Sequence, residues 1–326
     1  MSDIRPSSNP QEDPLEPPPT APRLSSLALP SNEAATMEQS GASSLQDITP
    51  ETELSTLTTQ QLQELTQKFF DDTLSSRPLI SALGSIGSLR TEYTSPSFIS
   101  QLQYLESNGY VGIRRTRGDG DCFYRSLAFA YIERIMQAPD KELAVAKATS
   151  QLYETQKLLD AAGFQKMAYE DFYDVIVSLL ETVVNGSNGS QPLTPALLLQ
   201  AFQDPEVSNS VVVYLRLLTS AQIRADPDSY APFLVHPEAD IPLEVREFCE
   251  GFVEAIGREA DHVQVTALSR ALHVNVEVAY LDGRNPDHVD FVKFDNETEH
   301  DTKPILLLYR PGHYDILERE KSGASA

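Results

Sequence analysis

An α+β fold, helices first and strands late, is predicted by two apolar periodicities and by their order along the chain. From Leu57 to Leu272 apolar residues recur mostly at three- and four-residue steps, the spacing of one helix face. From Val274 the period becomes two: Val274, Val276 and Val278 alternate with Asn275, Glu277 and Ala279, as in a strand. Helices and strands segregated in this way predict a helical lobe on a small mixed or antiparallel C-terminal sheet, not a doubly wound one. A third observation sets the scale. The chain has 326 residues, 40% of them hydrophobic, enough for one large domain with a substantial core or for two small ones.

Residues 1–55 stand apart. Nine of the 22 prolines fall there, acidic residues far outnumber basic ones, and no aromatic precedes Phe69. Such a segment cannot bury enough apolar area to offset its ordering entropy, so a disordered, Pro/Ser-rich acidic tail is expected. The folded domain is expected over 56–320, with a flexible end at 321–326. Leu57, Gln61, Leu62, Leu65 and Phe69 predict its first helix, and Pro78–Leu89, with Leu79, Leu83 and Ile86 on one face, predicts a second. Ser97–Leu105 follows. A helix beginning near Cys122 carries Phe123, Leu127, Ala130 and Tyr131 on one stripe. Further helices are predicted over Lys141–Ala161, Tyr169–Val184, Pro195–Gln200, Ser208–Ala225, Pro242–Ile256 and Val263–Leu272. Strands are predicted at Val274–Val278, Phe291–Phe294, Ile305–Tyr309 and, after a turn at Pro311-Gly312, Tyr314–Leu317.

Charge and composition exclude several classes. A net charge of -23 repels nucleic acid phosphates and anionic membranes and suits a partner with a basic face. No apolar run approaches the roughly 18 residues needed to cross a bilayer. No basic segment leads into an apolar one in the manner of a secretory signal. Two cysteines make no disulfide framework. The expectation is a soluble intracellular protein, cytoplasmic and with the nucleus also open to it.

The chemistry concentrates in Arg117-Gly118-Asp119-Gly120-Asp121-Cys122-Phe123-Tyr124-Arg125. Gly118 and Gly120 let the backbone turn tightly and approach a ligand without Cβ obstruction. A cysteine at a helix start lies in the positive end of the helix field, which favours the thiolate. Free first-turn N–H groups there can donate to an oxyanion forming beside the sulfur. Cysteine is also among the most buried residue types, and Cys249 illustrates the inert kind. It continues the apolar face of Val245, Phe248, Phe252, Val253 and Ile256. Only Gly, Asp and Arg lie immediately on the N-terminal side of Cys122.

A nucleophilic cysteine needs a base, usually a histidine brought near by the fold. His313 and Asp315 are separated by one residue, so on a strand they share a face and the carboxylate can fix the imidazole tautomer. His288 and Asp290 offer the same pairing, and spacing alone does not separate the two. His313 is favoured only by its sharper turn and more apolar flanking strand. His262 and His273 flank an apolar helix, where a structural role is expected; His236 and His300 lie in polar sequence. No metal-ligand spacing, phosphate loop or dinucleotide fingerprint is present, so no metal or cofactor is expected.

The sequence resembles the otubain branch of the ovarian-tumour (OTU) family of cysteine deubiquitinases. Ile113-Arg114-Arg115-Thr116-Arg117 with Asp119–Arg125 resembles the family's nucleophile block, and Leu307–Leu317 its histidine block. Val245–Cys249 and Asp261–Leu268 resemble intervening segments, so the similarity spans about Ser76 to Leu317. The resemblance implies a papain-like fold and hydrolysis of isopeptide bonds after the ubiquitin C-terminal glycine, on proteasome-targeting polyubiquitin chains. It implies Cys122 as nucleophile, His313 as base and Asp315 as the acid that orients it, which decides His313 over His288. Asp119 matches the aspartate the family lists with its catalytic residues, with a task of shaping the oxyanion loop of Gly118, Gly120 and Asp121. Ubiquitin, its chains and ubiquitin-conjugating enzymes are the implied partners; the rival is a scaffold that restrains a conjugating enzyme without catalysis. The chain departs from the family at Asp121, where asparagine is typical. A backbone N–H donor there tolerates the change, whereas a carboxylate aimed at the site would oppose the developing negative charge.

Overall fold

Alternation along the strands sets the layers of this protein. On β3 (Val276–Tyr280), β5 (Ile305–Arg310) and β6 (His313–Arg319), Val276, Val278, Ile305, Leu307, Tyr314 and Ile316 join one buried cluster. Ala279, Leu308 and Leu317 point the other way into a second. A computed structural model describes residues 76–186, 191–296 and 303–320. The tail expected over 1–55, the helix expected over Leu57–Phe69 and the end at 321–326 lie outside the described residues.

The sheet has six strands in the order β1-β2-β6-β5-β3-β4. Here β1 is Gly84–Ser85, β2 is Tyr110–Arg114 and β4 is Asp290–Phe294. All neighbours are antiparallel except β3 and β5, which run parallel, so the sheet is mixed. On one face lies α1 (Pro96–Ser107), which buries Leu102 and Leu105. On the other lie α2 (Cys122–Met136), α3 (Lys141–Ala161), α4 (Lys166–Glu181), α5 (Pro195–Gln203), α6 (Pro205–Ala225) and α7 (His262–Ala271). Local signals set several of these ends. The Asp140 carboxylate accepts from the Leu143 N–H at 2.9 Å to cap α3, and Asp261 with Gln264 forms a capping box on α7. No helix among the described residues is long and apolar enough to cross a membrane.

The central element is α2, buried all round except where Ala130 and Arg134 reach solvent in part. Phe123, Leu127, Phe129 and Ile132 are fully enclosed, each such side chain stabilising the fold by about 1.5–3 kcal/mol. The N-terminus of α2 is thereby held firmly against the sheet.

One predicted helix is replaced by other structure and another is shortened. Pro78–Leu89 divides into an isolated bridge at Ile80, strand β1 and a 3₁₀ segment over Ile86–Thr91. The backbone pairs sideways: the Ser81 N–H donates to Arg115 O, and the Arg117 N–H to Leu79 O. Pro242–Ile256 is helical only from Val245 to Val253, and its second part is a π turn, Cys249–Val253. Pro242 bridges to Val235 in extended form, while Arg216 takes the Val253 carbonyl at 2.9 Å, outside any helix ladder. Strand β2 was not expected. Gly112 and the arginines that follow conceal its alternation. The sheet therefore draws two strands from the region before Cys122.

Candidate active site

Two turns deliver the site. Strands β5 and β6 are joined through Pro311 and Gly312, with Arg310 paired to His313 across the hairpin. Proline supplies the fixed φ, and Gly312, at φ +74°, supplies the left-handed position that a side chain resists. His313 thus opens β6 at the sheet's rim, and Asp315 follows on the same face.

The second turn precedes α2. Asp119 Oδ1 accepts the Asp121 N–H at 3.0 Å and an Arg125 N–H at 2.8 Å, which bends the loop back on itself. Gly120, at φ +81°, is required there, since a Cβ would lie 2.1 Å from the Gly257 carbonyl oxygen. Arg125 is buried and donates onward to Ser208 and Asn209 of α6. Cys122 then begins α2 with 2% of its surface exposed.

The turns meet. The Tyr314 N–H donates to Cys122 Sγ at 3.4 Å. His313 Nε2 bonds Asp315 Oδ1 at 2.9 Å, leaving Nδ1 for the thiol side, with Gly118 close beside the ring. Asp315 is fully buried: the Thr116 N–H donates to its Oδ1 at 2.9 Å, and Arg310 holds its Oδ2 through Nε at 3.0 Å and Nη2 at 2.7 Å. Glu92 in turn pairs with Arg310 at 3.1 Å.

Electrostatics follow from these contacts. Burial works against a charged His313, but hydrogen bonds to Asp315 and Cys122 and the negative charge of both push it up to about 9. Burial also works against a charged Asp315. The hydrogen bond from His313, the charges of His313 and Arg310 and the Thr116 N–H outweigh it and hold the carboxyl below its usual range. A protonated imidazole beside the sulfur is ready to give its proton to a leaving group. Cys249 provides the contrast: it lies among Phe248, Val253 and Ala267, and burial pushes its thiol up.

The structure therefore brings Cys122, His313 and Asp315 together, with Gly118 alongside. Asp119 lies apart from the imidazole's partners and organises the loop. The Asp121 N–H is committed to Asp119, which leaves the Cys122 N–H, the first of its helix, without an intrahelical acceptor and suited to an oxyanion. The Asp121 carboxylate turns inward, where Arg216 Nε and Nη2 bond it at 2.8 and 2.5 Å and the Gly257 N–H at 3.1 Å. His288 does pair with Asp290, at 3.1 Å, but half-exposed at the start of β4. Sequence reasoning missed Arg216, Arg310, Thr116 and Gly257. A lone cation in the apolar run Val211–Leu218 was the available signal for Arg216; Thr116 and Gly257 gave none.

A thiol at a helix start, an imidazole beside it and a buried carboxylate on the imidazole's far nitrogen form the constellation of a cysteine peptidase. The family profile described as Peptidase C65 Otubain matches residues 72–319, and the chain belongs to that family. It is 34% identical over 262 residues to the Arabidopsis thaliana OVARIAN TUMOR DOMAIN-containing deubiquitinating enzyme 1, covering 76% of this chain and 83% of that one. It is likewise 34% identical over 245 residues to the Homo sapiens ubiquitin thioesterase OTUB1, covering 74% and 83%. Among solved structures, the complex of h/ceOTUB1 with ubiquitin aldehyde and UBCH5B~Ub superposes with a TM-score of 0.68 at 26% identity, over 80% of this chain and 98% of that one. The complex of ceOTUB1 with ubiquitin aldehyde and UBC13~Ub gives 0.66 at 28% identity, over 78% and 99%.

Proposed function

We propose that this chain is a cysteine-type deubiquitinase that cleaves the isopeptide bond after the C-terminal glycine of ubiquitin. The observation that carries the reading is the junction of Cys122, His313 and Asp315, with the Tyr314 N–H on the sulfur and the Asp315 carboxylate on the imidazole. The Cys122 thiolate attacks the glycine carbonyl, and the C–S bond forms as the carbonyl electrons move to oxygen, which the Cys122 N–H receives. Imidazolium His313 donates its proton to the lysine nitrogen as the C–N bond breaks. Water, deprotonated by the neutral imidazole, then attacks the thioester; the C–S bond breaks, leaving the ubiquitin carboxyl group free and restoring the Cys122 thiolate beside imidazolium His313. The otubain resemblance supports a preference for proteasome-targeting chains, measurable on diubiquitins of each linkage. Two free, buried cysteines support a reducing compartment, the cytoplasm or nucleus.

The test is reaction of the protein with a ubiquitin C-terminal electrophile, read by intact mass. A ubiquitin-sized adduct is expected on the wild type, none on Cys122→Ser, and slow formation on His313→Ala. A wild type that forms none sinks the reading. Complexes of related OTUB1 chains with UBC13~Ub and UBCH5B~Ub favour a second reading, a surface that restrains a ubiquitin-conjugating enzyme. That activity survives Cys122→Ser, whereas hydrolysis does not.

A further inference from the structure

A buried arginine remote in sequence holds the nucleophile loop from beneath. Arg216, on α6, is 1% exposed, and its partner Asp121 is 6% exposed. Beyond the two bonds to Asp121 Oδ1, Arg216 Nη2 donates to Gly120 O at 3.0 Å and to Arg258 O at 2.7 Å. Nη1 donates to Val253 O at 2.9 Å. The guanidinium also stacks on the Tyr124 ring, its carbon 4.3 Å from the centroid. One planar group thus grips the residues just before Cys122, the segment 253–258 and the first turn of α2.

We propose that Arg216, acting through Asp121, is a positioning residue for the reaction at Cys122, setting the backbone height of Gly120–Cys122 and hence the direction of the Cys122 N–H. The proposal rests on the reading of Cys122 as a deubiquitinase nucleophile. Three observations carry it. The side chain's hydrogen bonds go to the two loops that meet at the nucleophile. Those loops touch without slack, since a Cβ on Gly120 would lie 2.1 Å from Gly257 O, so a shift in one is passed to the other. And a buried ion pair is a poor device for stability alone, because its desolvation cost rivals its attraction. The same geometry explains how this chain accommodates Asp121 where asparagine is typical of the family. The added charge is neutralised by Arg216 and bonded by the Gly257 N–H, and the oxyanion is left to a backbone N–H.

Lysine cannot replace this arginine, because a point charge does not serve three carbonyls and a carboxylate in one plane. The experiment is steady-state hydrolysis of a fluorogenic ubiquitin C-terminal amide by wild type, Arg216→Lys, Asp121→Ala and Asp121→Asn. Each is checked for folding by its melting curve, with iodoacetamide alkylation of Cys122 measured in parallel. Arg216→Lys is expected to lose about 10²-fold in kcat, the cost of a small misplacement at the reacting centre, with KM within about twofold of wild type. Asp121→Ala should fall in the same direction. Asp121→Asn should stay within about threefold, because its amide oxygen accepts the same N–H groups. Alkylation, a displacement that forms no oxyanion, should change little in all three.

Wild-type kcat in folded Arg216→Lys or Asp121→Ala overturns the proposal. So does a loss of alkylation equal to the loss of kcat, which marks general disruption of the thiol–imidazole pair. If Arg216→Lys does not fold, Asp121→Ala, which keeps the Val253 and Arg258 bonds, decides. A wild type that alkylates at Cys122 yet leaves the ubiquitin amide uncut defeats the deubiquitinase reading instead, and this proposal with it.

Discussion

His313–Asp315 and His288–Asp290 are the same local device in two surroundings. Both are histidine and aspartate one residue apart at the start of a strand, and their N···O distances are alike, 2.9 and 3.1 Å. At β4 the His288 side chain is 50% exposed, and water competes for every contact. At β6 the aspartate is sealed, clamped on its other oxygen by Arg310, and the imidazole is 16% exposed beside a thiol. The pairing follows from the one-residue spacing alone, since His288 lies just before β4 and His313 within β6. What suits one pair to proton transfer is desolvation and a thiol within reach.

The two pairs should differ most at their histidines. His313→Ala should lower kcat/KM on a ubiquitin amide on the order of 10³-fold, the usual scale of general acid–base catalysis. His288→Ala should stay within about twofold, as a surface change does. The aspartates come next. Asp315→Asn removes the negative charge that stabilises the imidazolium and sets an NH₂ group against either Arg310 or the imidazole, and should cost roughly 10²-fold in kcat, while Asp290→Asn leaves kcat near wild type in the same assay.

Next in size is a pH effect. His313 is raised from 6.5 to about 9 in the folded state, so its protonated form stabilises the protein fully below pH 6.5, and that contribution is lost as pH rises through about 9. The same deprotonation removes the imidazolium that donates the proton to the leaving group, so kcat/KM should fall on an alkaline limb near pH 9. In Asp315→Asn that limb should move to lower pH. A pH-rate profile with no limb shift between the two proteins would separate His313 from Asp315. The smallest effect concerns the turn: Gly312→Ala must adopt φ +74° with a Cβ 3.1 Å from a Glu259 carboxylate oxygen. A loss of roughly 1–2 kcal/mol in chemical denaturation is expected from the left-handed backbone.

Legibility followed the range of the interactions. Helices α3 and α7 were readable within about one residue because their apolar stripes and caps are local. The helix expected over Pro78–Leu89 does not form because its backbone partners, Arg115 and Arg117, lie more than 30 positions away and outcompete the local ladder. At the site, Cys122 and its glycines were visible as a turn leading into a helix. The choice of His313 over His288 was not decided by spacing, only by the family resemblance. Asp121 raised a question that the sequence left open, because the answer lies on Arg216, 95 positions along the chain.

By itself, then, the sequence determined the α+β class, the helix that starts at Cys122, the hairpin that presents His313 and the matching face of Asp315, all set by periods of two to four residues and by glycine at left-handed positions. Only the fold decided that His288 is left half-exposed, that Asp315 is sealed between Thr116 and Arg310, and that the Asp121 charge is paired with Arg216. Those outcomes depend on burial and on charges brought together from distant segments, and neither is encoded in any local pattern.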